Sequence, residues 1–255
     1  IGLPNNEWIE LKNTTTAPIN LQNWRIGDAT SQSGPMPNFI LQPDSFVVVC
    51  TGSAVAALSA YGTTISVTSF PSLDNAGDQL FLKAANGIII HAVSYSDSWY
   101  QNAVNANGGW TLEMINTKSP CAGSDNWKAS VDPSGGTPGK KNSVDAINTD
   151  QTPPSLLRTY TIDSVTIIAV FDEPIDSSLG ATISNYTIDG GLSIVAATTI
   201  SPLFDQVQLK LNSKMSLQTV YNITATNITD CKGNNIRSNN NAKAGLPEDA
   251  RSVNS

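Results

Sequence analysis

Apolar residues in this chain do not recur at helical spacing. They come in short runs, some alternating with polar residues and some unbroken, and Gly, Pro, Asn and Asp close the runs at intervals of roughly ten residues. That pattern predicts an all-β chain. In the first half the expected strands cover residues 7–12, 23–27, 46–50, 79–83, 88–95 and 110–115. Ile9 and Leu11 share a face opposite Glu10 and Lys12, so the first strand has one wet side. Phe46-Val47-Val48-Val49 and Ile88-Ile89-Ile90 are apolar on both sides, which predicts core strands with both faces covered. One short helix is expected over residues 54–59, with Ser53 capping its start and Gly62 beyond its end.

Between residues 130 and 154 the composition shifts to Asp, Pro, Ser, Gly, Lys and Asn, and Pro133, Gly135, Gly136, Pro138 and Gly139 leave no room for a regular element. Here a first domain closes, and Pro153-Pro154 stiffens the connection that follows. Strands resume at 156–162, 165–171, 185–188, 193–200, 206–211 and 221–226, a number and spacing that suit an immunoglobulin-like sandwich. The expected organisation is two β-sandwich domains in tandem, 1–147 and 155–238, with a Pro-containing linker at 148–154. The Asn-rich stretch 239–255 has no apolar periodicity and is expected to be a polar tail, poorly ordered alone.

Only 14% of the 255 residues are charged, and Ser, Thr and Asn carry the surface polarity instead. Such a surface suits an extracellular, cell-surface or periplasmic protein. A net charge of −7 argues against nucleic acid or anionic lipid as a partner. No apolar run reaches the roughly 20 residues that a membrane helix needs. Residues 1–10 lack the basic start and apolar core of an export leader, which suggests a chain that begins after processing or inside a longer protein.

Several separated blocks then point one way. They are Asn6-Glu7-Trp8-Ile9-Glu10-Leu11-Lys12-Asn13, Ile19-Asn20-Leu21 with Trp24-Arg25-Ile26-Gly27-Asp28, Leu41-Gln42-Pro43-Asp44, and Leu73-Asp74-Asn75-Ala76-Gly77-Asp78. Val93-Ser94-Tyr95 with Trp99, Trp110-Thr111-Leu112-Glu113, Asn126-Trp127 and Gly136-Thr137-Pro138-Gly139-Lys140-Lys141-Asn142 follow in order. Together they make the first domain resemble the lamin tail domain of exported bacterial proteins. The resemblance implies a sandwich that binds or displays, without catalytic residues, and gives Glu10 a hydrogen-bonding role toward neighbouring backbone or Arg25. The strand that normally precedes the first block is missing here, so a first edge strand is expected to be absent or supplied from elsewhere. The second domain, with Thr152-Pro153-Pro154, Val170-Phe171-Asp172-Glu173-Pro174-Ile175, Asn185-Tyr186 and Thr229-Asp230-Cys231-Lys232-Gly233-Asn234, resembles bacterial Ig-like domains that separate modules in secreted proteins. Gly245-Leu246-Pro247-Glu248 reads like the approach to a further module.

Candidate chemistry is sparse. His91 is the only histidine and sits in an expected strand, and no Gly-x-Ser-x-Gly or Ser-x-x-Lys motif is present, so no catalytic residue is assigned. Carboxylates such as Glu7, Glu10, Asp172 and Glu173 are the scattered acids of any sandwich. The loops Asp74-Asn75-Ala76-Gly77-Asp78 and Asp230 with Gly233-Asn234-Asn235 offer oxygen ligands of the kind calcium takes, yet both are ordinary turn chemistry, and neither a metal site nor a cofactor is expected. Of five tryptophans, at least three are expected to anchor the core; Trp99 is expected to be exposed and, with Tyr100, to be the first candidate for ligand contact. Cys50 and Cys121 are a candidate disulfide, with two reduced thiols as the alternative, which leaves Cys231 odd and free. Four glycosylation patterns, at Asn13, Asn185, Asn222 and Asn227, mean little if the source is bacterial. The expected function is a non-catalytic interaction or spacer segment whose partners are other domains of the same protein or cell-surface components. A carbohydrate- or calcium-dependent binding module, with a glycan as partner, is the alternative.

Overall fold

In the computed structural model, which describes residues 2–120, 123–238 and 240–246, nearly all regular structure is extended. Two units separate, Ile1–Thr149 and Asp150–Ser255.

The first unit contains β1 (Trp8–Lys12), β2 (Ile19–Asn20), β3 (Arg25–Gly27), β4 (Ile40–Leu41), β5 (Phe46–Cys50), α1 (Val55–Leu58), β6 (Thr64–Ser66), β7 (Gly77–Lys83), β8 (Ile89–Ser96), α2 (Ala103–Ala106), β9 (Leu112–Met114) and β10 (Trp127–Ala129). Its two larger sheets run β1-β5-β6 and β3-β7-β8; β2 pairs with β4 and β9 with β10. Side-chain alternation on β5 explains its position. Val47 and Val49 face the main core, where Ile9 and Leu11 of β1 meet Ile26 of β3 and Leu82 of β7. Val48 and Cys50 face the other way, onto Ala54 and Leu58 at α1. The strand is therefore covered on both sides, as its unbroken apolar run requires.

The run Ile88-Ile89-Ile90 does not behave the same way. Ile88 is 59% exposed in the turn that leads into β8, and Ile90, within β8, is 50% exposed, so nothing packs over its side of the strand. The expected cap of α1 also fails: the Ser53 hydroxyl bonds Thr51 Oγ1, and a 3-10 turn over Gly52–Ala54 leads into the helix without a side-chain cap.

The second unit contains β11 (Leu156–Asp163), β12 (Thr166–Phe171), α3 (Ser177–Gly180), β13 (Tyr186–Ile188), β14 (Ile194–Thr199), β15 (Gln206–Leu211), β16 (Tyr221–Ala225) and β17 (Asn241–Ala244). Sheets β11-β12-β15-β14 and β13-β16-β17 face one another. Between them Ile167, Ala169, Phe171, Val207, Leu209 and Leu211 from the first pack on Tyr186, Tyr221, Ile223 and Ala225 from the second. Strict alternation on β15 puts Val207, Leu209 and Leu211 inward and Gln206, Gln208 and Lys210 outward.

Part of the expected polar tail is a strand. β17 pairs antiparallel with β16, from Tyr221 opposite Ala244 to Thr224 opposite Asn241, and Ala244 is buried in the core. Its apolar content is small because only one residue in two faces inward. Leu246 packs on the same core; Pro247 and Glu248 lie outside the described residues.

Candidate functional site

Carboxylates in the first unit serve its loops. Glu113, 5% exposed on β9, accepts hydrogen bonds from Thr137 Oγ1, Ser143 N–H and Ser143 Oγ, each 2.7 Å. Glu10, on β1, accepts the N–H of Gly139 in the same loop. Burial pushes Glu10 up to about 7, against the pull of the Gly139 hydrogen bond and with help from the charge of Glu113. The two acids thus both hold the Gly-Thr-Pro-Gly loop, Glu113 at Thr137 and Glu10 at Gly139. Glu10 finds backbone, as expected; Arg25 instead donates to Ser33 O at 2.6 Å.

A depression of about 540 Å³ is lined by Glu7, Asp28, Thr30, Ser72, Asp74 and Asp78, among others. Asp28, Glu7 and Asp78 among its acids accept hydrogen bonds. Burial works to raise the pKa of Asp28, but hydrogen bonds from Thr30 and Ser31 outweigh it and hold the carboxyl below its ordinary value. Glu7 accepts from Leu73 N–H and Asp78 from Gln79 N–H. Within the Asp74 to Asp78 loop, Gly77 N–H donates to Asp74 O at 3.2 Å and closes a turn.

Trp99 is half-buried, not exposed. Its ring tilts at 35° to Trp127, centroids 6.2 Å apart, and Tyr100 donates its hydroxyl to Trp110 O at 3.2 Å. Trp24 packs on the main core and Trp8 on the smaller cluster. His91 Nε2 lies 3.3 Å from Pro120 O, and burial lowers its pKa.

Cys50 is a free buried thiol, so the candidate bridge to Cys121 is not made; Cys121 itself lies outside the described residues. Cys50 ends a strand covered on both faces, and burial raises its pKa. Cys231, expected to be free, is disulfide-bonded. Asn13 and Asn185 are buried and spend their amide N–H groups on backbone carbonyls, so neither pattern is open to modification.

The second unit holds a constellation that sequence spacing did not disclose. Past the end of β12, Asp176 N–H donates to Thr229 O at 2.7 Å and Ile175 bridges to Asp230, which brings the Asp172-Glu173-Pro174 segment beside the turn after β16. Asp230 is 1% exposed. Its Oδ1 accepts from Lys232 N–H and Asn234 N–H, and its Oδ2 from Asn234 Nδ2. Asn234 Nδ2 also donates to Asp150 O at 3.3 Å, carrying the start of the unit to the same place. Asp150, Glu173 and Asp230 can each present a carboxylate oxygen so that all three lie within 4.8 Å of one another. Burial raises Glu173 to about 8; the charges of Asp150, Asp230 and Asp172 add to that, and Arg237 opposes it. Of these residues the sequence pointed to Asp230 through its turn and to Glu173 only as one of many acids, and it gave no sign of Asp150.

Residues 2–97 match the Lamin Tail Domain family. No curated protein matches the chain. Among solved structures, the crystal structure of the S-layer protein rSbsC(31-844) is similar at 16% identity and a TM-score of 0.34, covering 37% of this chain and 14% of that one. The N-terminal part of the bacterial S-layer protein SbsC gives 16% identity and a TM-score of 0.34, covering 38% and 24%. The chain thus spans no more than a quarter of either structure.

Proposed function

We propose that this chain is a non-catalytic interaction and spacer segment of an exported bacterial protein, in which a lamin-tail-like sandwich and an Ig-like sandwich position other modules at the cell surface. The observation that carries this reading is the use of the first unit's buried acids: Glu10 and Glu113 spend carboxylate oxygens on fastening a loop onto the sandwich. The lamin tail match over residues 2–97 supports it, since it lies on the same sandwich. Its low charge content and abundant Ser, Thr and Asn fit an exposed, non-sticky surface. No described helix is long and apolar enough to cross a membrane.

The test is whether the segment positions or reacts. An epitope inserted at the exposed Gly87 turn is expected to be labelled on intact cells of the native host, and the purified chain to turn over no glycoside, ester or peptide substrate. Turnover that disappears in Glu10→Gln or Glu113→Gln would overturn the reading, as would an epitope accessible only after lysis. Glycan-array binding abolished by Trp99→Ala would replace it with a carbohydrate-binding role.

A further inference from the structure

We propose that Asp150, Glu173 and Asp230 bind one divalent cation with the oxygen preference of Ca²⁺, and that the ion fastens residues 150–154 onto the sandwich of the second unit. The proposal goes beyond the spacer reading and does not depend on it.

Three hard anionic donors converge from three distant parts of the chain. Their oxygens lie within 4.8 Å of one another, so a small inward movement of the side chains brings one ion to the ordinary Ca²⁺ distance of about 2.3 to 2.6 Å from each. Three carboxylates around a doubly charged ion leave room for carbonyl or water oxygens to complete a Ca²⁺ shell of about six to eight.

A second observation separates this site from an ordinary acidic turn. Asp150 Oδ2 exposes less than 1 Å² and has no hydrogen-bond partner, whereas Oδ1 accepts from Thr152 N–H. A buried anionic oxygen without a donor is costly, and an ion is one of the few things that can satisfy it. Turn formation accounts for the hydrogen bonds of Asp230, but it accounts neither for that oxygen nor for Glu173 beside it. In fact the turn prepares the site, because the Lys232 and Asn234 donors fix the Asp230 carboxylate in one orientation, as neighbours of a metal ligand do. A competing explanation is a proton shared between Glu173 and Asp150, which needs no metal.

The location gives the ion a consequence. Asp150 is the first residue of the second unit and precedes Pro153-Pro154, so a bound ion would hold the start of this stretch as well as its stiff end.

Calorimetry on the full 255-residue chain, after chelator treatment, provides the test. Titration with CaCl₂ is expected to show one saturable site and to raise the melting temperature, and MgCl₂ to bind more weakly. Asp150→Asn and Glu173→Gln are expected to weaken Ca²⁺ binding about tenfold or more. Asp97→Asn, an exposed acid of the first unit, should leave it unchanged. Both site variants keep a side-chain oxygen, and far-UV circular dichroism reports whether each is folded. Absence of saturable heat with CaCl₂ would overturn the proposal and favour the shared proton, as would folded site variants that bind like the parent. Equal affinity for MgCl₂ would overturn the assignment to Ca²⁺.

Discussion

The Glu10 carboxylate accepts the backbone N–H of Gly139, 129 residues further along the chain. Both ends of that contact are constrained. Glu10 stands on β1, paired with Val48 of the covered strand β5, and Gly139 holds φ +75° with its Cα against Gly62. With Glu113 on Thr137 and Ser143, the late loop 136–143 is tied to the sandwich at both ends.

Stability of the first unit should fall as pH rises through neutrality, and Glu10 should be a cause. Its carboxyl is raised to about 7 from an ordinary 4.5, so the folded chain binds its proton more tightly than the unfolded chain does. The contribution is complete below about pH 4.5 and is lost as pH climbs through about 7. Glu10→Gln, which keeps an acceptor for Gly139, should flatten the curve by an amount on the order of 2 kcal/mol between pH 5 and pH 8. Urea midpoints at the two pH values measure it; equal slopes in parent and variant would refute it.

Gly62→Ala should destabilise the same unit. The added Cβ would lie 2.6 Å from the Gly139 Cα, and the obstacle is backbone, which cannot rotate away. Gly139 also needs positive φ, so it cannot easily retreat. A loss of about 1 to 3 kcal/mol is expected from overpacking of this kind, read as a lower melting temperature. Gly52→Ala, where no atom lies within 4 Å of the new Cβ, is the matched control and should change little.

Two apolar triplets that look alike in sequence should respond differently. Val48→Ala opens a cavity in a fully covered strand and is expected to cost about 1 to 3 kcal/mol, whereas Ile90→Thr, at a half-exposed position, should stay within about 0.5 kcal/mol. Equal losses in denaturant titrations would contradict the exposure of Ile90.

That contrast marks what the residues disclose. Alternation within one strand is a local property, and β15 and β5 have the bounds that their patterns predict. Coverage of both faces depends on what packs above and below the sheet, and the Ile88 to Ile90 run carries no information about that. The two-residue strands β2 and β4 are too short for any period to register. The cation candidate was legible only at Asp230, whose turn is local; Asp150 and Glu173 join it through pairing between residues 175 and 230 and the bridging amide of Asn234.

The Cys50 thiol should resist modification until the first unit unfolds. It has no exposure, sits against Leu58 and Ala54, and burial raises its pKa, so both access and thiolate are scarce. Native protein treated with a thiol reagent should leave Cys50 unlabelled in peptide mapping, and denatured protein should label it fully. Prompt labelling under native conditions would show that β5 opens locally.

Asn240 supplies the sharpest test of the tail. Its Oδ1 accepts the N–H of Leu156 at 2.7 Å, and its Nδ2 donates to Arg237 O at 2.6 Å, so one amide fastens the start of β11 and the turn before β17. Leu156 is 6% exposed, and its N–H has no water to turn to when the side chain is removed. Asn240→Ala should therefore cost about 1 to 3 kcal/mol, the penalty for a stranded buried donor, rather than the smaller net value of an average hydrogen bond. Truncation after Ser238 removes β17 as well, takes Ala244 out of the core and exposes the edge of β16. It should unfold the second unit outright while leaving the first folded, a difference that near-UV circular dichroism can resolve because all five tryptophans lie in the first unit. A truncated chain whose second unit still melts cooperatively would return residues 240–246 to the role of a dispensable tail.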